Sequence, residues 1–131
     1  MWPKEDIPDN ASLFMRIHKR FILAGDVGPH AFRDHARGMS VDWDKYSTPQ
    51  ETRNRARIAS DNAVISLVAG AVRAIEPLVV EHAPIQDNSF EEGGNPLKPN
   101  RAHSEVIGEK TTEVRVKLSR TWRWQLRLGE Q

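Results

Sequence analysis

Thirteen residues, Ala63 to Ile75 (AVISLVAGAVRAI), carry a single charge, Arg73, and Leu78-Val79-Val80 follow almost at once. The chain on either side is dense with Asp, Glu, Lys and Arg, so this stretch is the most costly to leave in water, and the core is expected to form around it. Val64-Ile65-Ser66-Leu67 has strand composition, and Ala69 to Ala74 suits a short helix in which Gly70 lets another backbone come close. A strand over 63–67, a helix over 69–75 and a further strand over 77–81 follow. One buried helix across the whole stretch is the alternative.

The rest of the chain supplies shorter signals. Residues 1–11 hold two prolines and no periodicity, and read as an irregular N-terminal arm that Trp2 docks. Leu13, Met15 and Ile17 alternate with Phe14, Arg16 and His18, the period-two pattern of a strand buried mainly on one face. Phe21-Ile22-Leu23 extends or pairs with it before Gly25 to Pro29 turns the chain. His30 to Gly38, with Phe32 as its only large apolar residue, reads as loop. Met39, Val41 and Trp43 alternate again. Thr48, Pro49 and Glu51 form a capping box with Pro at the first helical position, and start a surface helix over 49–59. Residues 84–100 contain three prolines and two glycines and form the one long loop. Ala102 to Gly108 is a short strand or turn. Thr112 caps a final helix in which Val114, Leu118 and Trp122 repeat every four residues, although Val114, Val116 and Leu118 also alternate.

Together these give one small α+β domain over 1–131, with a mixed or antiparallel sheet of about four strands (near 13–18, 39–43, 63–67 and 77–81), short helices and a C-terminal helix. The length fits one domain. No cysteine is present, which excludes disulfides, thiolate chemistry and Cys-ligated metal centres. The opening MWPKEDIPDN lacks the apolar core of a signal peptide, and no apolar run reaches the ~18–20 residues of a membrane span. A cytoplasmic protein without membrane contact is expected.

Three segments, LFMRIH at 13–18, MSVDWDKYSTPQET at 39–52 and RAHSEVIG at 101–108, resemble a set of small bacterial proteins of uncharacterised function. In those an arginine-containing first strand, a Leu/Met-Ser-Val-Asp segment and a Pro-x-His-Ala-x-x-x-Gly segment recur in this order. Here the last departs, since no proline stands immediately before Arg101. The resemblance implies no activity.

Motifs of known chemistry are few. His30 and His35, with Asp26, Asp42 and Asp44 nearby in sequence, match no metal-ligand spacing, so neither a metal nor another cofactor is expected. Gly93-Gly94-Asn95 opens no helix, which rules out a phosphate loop, and Ser40 has no base visible in the sequence. Two constellations remain. Formal net charge is +1, yet Lys110 to Arg127 holds six basic residues against Glu113, a local net of +5. Arg115, Arg120, Arg123 and Arg127 with Trp124, joined by Arg101, have the make-up of a contact surface for a protein or nucleic acid. This interaction module, without enzymatic activity, is the first expectation.

The second is a small metal-independent enzyme acting on RNA or a nucleotide. His18 and His103 would exchange protons and Arg16 would meet the phosphate. The bland counterpart has His103 bonded to backbone and Arg16 paired with Asp42 or Asp44. A variant of the enzyme reading is ADP-ribosyl transfer with Glu105 as the acid, and a self-associating subunit is a third, non-catalytic outcome.

Overall fold

The computed structural model describes residues 1–35, 37–86 and 98–131. The long-loop expectation for 84–100 falls largely on 87–97, outside the described residues.

The architecture is α+β, built on a six-stranded sheet in the order β6-β7-β4-β1-β5-β8 in which every paired neighbour is antiparallel. Its strands are β1 (Ser12–His18), β4 (Met39–Trp43), β5 (Asn62–Val68), β6 (Val79–His82), β7 (His103–Ile107) and β8 (Trp122–Leu126). A separate hairpin joins β2 (Ile22–Leu23) to β3 (Asp26–Val27). Its loop residues Ala24 and Gly25 have φ of 51° and 75°, the twist a two-residue hairpin needs.

Six strands replace the expected four. One addition is β7, where His103 and Glu105 face opposite to Ser104 and Val106. The other is β8, which takes residues assigned above to the end of the last helix. That helix, α3 (Thr112–Leu118), is capped by Thr111 rather than Thr112, and is followed by a turn at Ser119 to Thr121. Trp122 and Trp124 then alternate with Arg123 on an edge strand, so Trp122 meets the core from a sheet and not as a third helical repeat. The i, i+4 spacing of Leu118 and Trp122 and the strand alternation are both present, and a β-rich ending won because β5 had an open edge to pair. The helix after Thr48, α1 (Pro49–Asn54), also stops earlier than 59, since Thr52 is its only buried position.

The central apolar stretch folds as strand then helix: β5 runs directly into α2 (Ala69–Arg73). Ala63, Val64, Ile65 and Leu67 are fully buried because β5 is covered on both faces. On one face Leu13, Met15, Ile17, Ile65, Leu67, Met39, Val41 and Val106 meet α2, α3 and Phe32 in the main core. On the other, α1 lies over β5, β1 and β8, and Phe14, Val64 and Leu126 form a small second cluster. Gly70 provides the close approach: its N–H donates to Asp9 O at 2.8 Å, and a Cβ there would stand 3.0 Å from that oxygen.

The N-terminal arm is tied down by polar contacts. The Trp2 backbone exchanges two hydrogen bonds with the Gln86 side chain. Glu5 accepts from Lys45 Nζ at 2.6 Å and from the Tyr46 hydroxyl, and these two bonds hold its carboxyl pKa below the ordinary value of 4.5. A lowered folded pKa stabilises the fold above 4.5, and the contribution disappears as pH falls through the lowered value. Glu5→Gln should therefore lower the thermal midpoint near neutral pH, and the gap to the unmodified protein should close in acid. Melting curves followed by tryptophan fluorescence across that range test it; a gap independent of pH would show that the carboxylate charge contributes nothing.

Candidate functional site

The sheet is not paired along its whole length. Between β1 and β4 only Leu13–Trp43 and Phe14–Asp42 are in register, although β1 continues to His18 and β4 begins at Met39. A cleft of about 1000 Å³ opens along this unpaired stretch. It lies on the face that carries α1, and the gap between the strands explains why Met15, Ile17, Met39 and Val41 line it beside polar residues of that face. Its walls come from α1, from segments of 20–37, from Ala83 to Ile85, and from Lys98 and Asn100.

Charge is segregated here. Among the described residues the lining contains seven cations, Lys4, Arg16, Arg20, Arg33, Arg37, Arg55 and Lys98, against two acids, Asp42 and Glu105, a net of +5 with histidines neutral. The whole chain carries +1. Both acids are engaged. Buried Asp42 accepts from Thr52 Oγ1 at 2.8 Å and Arg55 at 2.7 Å through Oδ2, and from Asn100 Nδ2 at 2.9 Å through Oδ1. Glu105, opposite Ser40 in the β4–β7 register, accepts from Arg37 Nε at 2.5 Å, and Arg37 reaches Glu81 at 2.6 Å with its other arm. These partners raise the Arg37 pKa above its ordinary value, the Glu105 hydrogen bond contributing most.

Arg16 is differently placed. One terminal nitrogen donates to Thr52 O at 3.2 Å, and it makes no ion pair among the described residues, with Asp42 or Asp44 included. Its side chain is exposed and stands between the cleft walls. The surrounding protein desolvates it and lowers its pKa, Asp42 opposing the shift and Arg55 adding to it. An exposed guanidinium that faces a cleft and has no ion pair among the described residues has N–H donors open to an anionic ligand. Lys4, Arg20, Arg33 and Lys98 likewise make no ion pair among the described residues.

The two histidines share the cleft at different stations. His103 pairs with Asp42 across β4–β7, and Asp42 with Phe14 across β4–β1, so His18 lies two strands over and four residues along. At ~4.8 Å per strand and ~3.3 Å per residue their Cα atoms are roughly 16 Å apart, more where the strands part. His103 Nδ1 lies 2.8 Å from Ala83 O, and its Nε2 lies 3.3 Å from Ser40 Oγ. A carbonyl only accepts, so Nδ1 carries the proton and neutral Nε2 presents its lone pair to Ser40. Ser40 thus has a basic neighbour 63 residues away that no local motif announces. His18 has the opposite arrangement: Nδ1 accepts the Arg20 N–H at 3.1 Å as the cap of a short 3-10 turn, which leaves the proton on Nε2. Donating that proton from the neutral ring would leave an imidazolate, so His18 in this state donates hydrogen bonds and is not an acid.

The other expected contact residues are spread out. Arg115 is half-buried on α3, Arg120 is exposed in the following turn, and Arg123 and Arg127 are exposed at and beyond β8. Trp124 is half-buried against Trp122 and the main core, with the Arg127 guanidinium 5.6 Å from its ring centre. Arg101 precedes β7, four strand positions from β8, where it covers the Tyr46 ring at 4.2 Å. The cleft cations Arg33, Arg37 and Lys98 carry no signal of their own in the sequence. Arg55 alone was traceable, three residues after the cleft residue Thr52 on the same turn of helix. His30 is exposed and His35 lines the cleft, and no group of three or more His, Asp or Glu converges among the described residues. No helix among them is long and apolar enough to cross a membrane. Comparison with protein-family models, with curated proteins and with solved structures finds no match to this chain.

Proposed function

We propose that this protein binds a single strand of RNA along the basic cleft. The observation that carries the reading is an Arg16 exposed to the cleft and without an ion pair among the described residues, inside a cleft of net charge +5 whose two acids are already paired. Cations gathered this way match a row of phosphates better than one small anion. Aromatic surface accompanies them: half-buried Phe21 lines the cleft, and Arg20 and Arg33 approach its ring at 4.8 and 5.5 Å. Unstacked bases need such surface, whereas a duplex buries its bases in its own stack.

The test is fluorescence anisotropy of a labelled oligoribonucleotide over a salt series. Arg16→Gln and Arg33→Gln should each weaken binding and flatten the log–log salt slope by about 0.7, the share of one lost phosphate contact. Arg123→Gln and Arg127→Gln should leave the slope unchanged. The reverse pattern would assign binding to the C-terminal segment, where exposed Arg123 and Arg127 flank Trp124.

A further inference from the structure

We propose that the cleft also cleaves the RNA it binds, with His103 as the general base that activates a ribose 2′-hydroxyl. This rests on the binding reading and names the chemistry of the same site. Four placements carry it. The ring is fixed at Nδ1 by the Ala83 carbonyl, so it need not search for the right tautomer or orientation. Its Nε2 already has a neighbour of the required kind, the Ser40 hydroxyl at 3.3 Å, and a ribose hydroxyl that displaces it by rotation of the Ser40 side chain makes the same contact. Both side chains line the basic cleft. Arg16 stands exposed in that cleft, and among the described residues its side chain makes one hydrogen bond, to Thr52 O.

The step balances without a redox partner. His103 Nε2 takes the 2′-hydroxyl proton as O2′ bonds to the adjacent phosphorus. The P–O5′ bond breaks, and the leaving oxygen takes a proton from water. The products are a 2′,3′-cyclic phosphate and a 5′-hydroxyl, and the proton on His103 returns to solvent. Arg16 stabilises charge that grows on the phosphoryl oxygens. His18, whose Nδ1 accepts the Arg20 N–H, presents Nε2–H to a phosphate and is not required to give up a proton. A strand without 2′-hydroxyls has no nucleophile in this scheme and stays intact.

Binding and cleavage are read separately. Affinity is measured with a 2′-O-methyl oligonucleotide, and cleavage with RNA and all-deoxy strands of the same sequence, the new ends being identified by mass spectrometry. The proposal expects cyclic phosphate ends from RNA, an intact deoxy strand, and a 10²–10⁴-fold loss of rate in both His103→Ala and His103→Gln with 2′-O-methyl affinity within about twofold. Circular dichroism confirms that the variants fold, and His103→Gln covers the case in which the alanine variant does not. Tight 2′-O-methyl binding with no RNA cleavage would overturn the catalytic proposal and leave the binding reading standing. Comparable cutting of the deoxy strand, or undiminished cleavage in His103→Gln, would also overturn it. Absence of binding would overturn both.

Discussion

Replacing Asp42 with alanine should cost about 3 kcal/mol of folding free energy, measured as a shift in urea midpoint at constant slope. The carboxylate is 4% exposed and joins three parts of the chain: β4, which bears it, α1 through Thr52 and Arg55, and Asn100 at the entry to β7. Removing it leaves the Arg55 guanidinium, the Thr52 hydroxyl and the Asn100 amide without their acceptor. Thr52 keeps Ser47 as a partner and Arg55 keeps Ser47 Oγ at 2.8 Å. Arg55 also retains 27% of its side-chain exposure, so the loss stays below that of a wholly buried pair. Asp42→Asn, which preserves shape and one acceptor, should cost less. Because this network holds α1 against the cleft, Asp42→Ala should weaken RNA binding as well. A destabilisation under ~1 kcal/mol would mean that water replaces the lost acceptor, and that the network does not secure α1.

Phe32→Ala should be as damaging, at about 3–5 kcal/mol. Phe32 has no exposed surface and leads the largest fully buried side chains among the described residues, yet it sits between the short turn at Pro29–Ala31 and the strand β4, where the described residues form no strand or helix. The ring belongs to the main core with Val27, Ala31 and Val114, and α3 packs on the turn that precedes it. Truncation opens a cavity that a turn pinned at both ends cannot collapse into. Near-native stability in calorimetry would show instead that the 28–38 segment follows the smaller side chain inward.

Phe32 also shows how sequence and structure diverge. The pattern around it, HAFRDHARG, is polar and unperiodic, and among its described residues the backbone is loop apart from the 3-10 turn that ends at Ala31 and the isolated bridge of His35 with Gly38. One buried ring in an irregular segment leaves no period, so its weight in the core was invisible. Where a strand has a covered face and a polar face, as in β1 and β4, the alternation was plain and the boundaries came out nearly as read. The ending of the chain was ambiguous for a physical reason: Leu118 and Trp122 satisfy a helical repeat, while Trp122, Arg123 and Trp124 satisfy a strand. Only the open edge of β5 decides between them.

The site was legible in part for the same reasons. Arg16 and His18 stood out because they share the polar face of an otherwise apolar strand, and both line the cleft. His103 stood out beside them, but its partners Ala83 and Ser40 lie 20 and 63 residues away and depend on sheet order. The parting of β1 from β4, which creates the cleft, leaves no mark in composition, since both strands keep their alternation across the gap. Net charge concealed the segregation, because the cleft cations are offset by acids elsewhere in the chain.

The most direct test is photo-crosslinking of a 4-thiouridine oligoribonucleotide to the protein, followed by peptide mapping. The account predicts crosslinks at Phe21 and the segments around Arg16 and Arg33, lost when unlabelled RNA competes. Crosslinks confined to Trp124 and its neighbours, with the cleft unmarked, would contradict it.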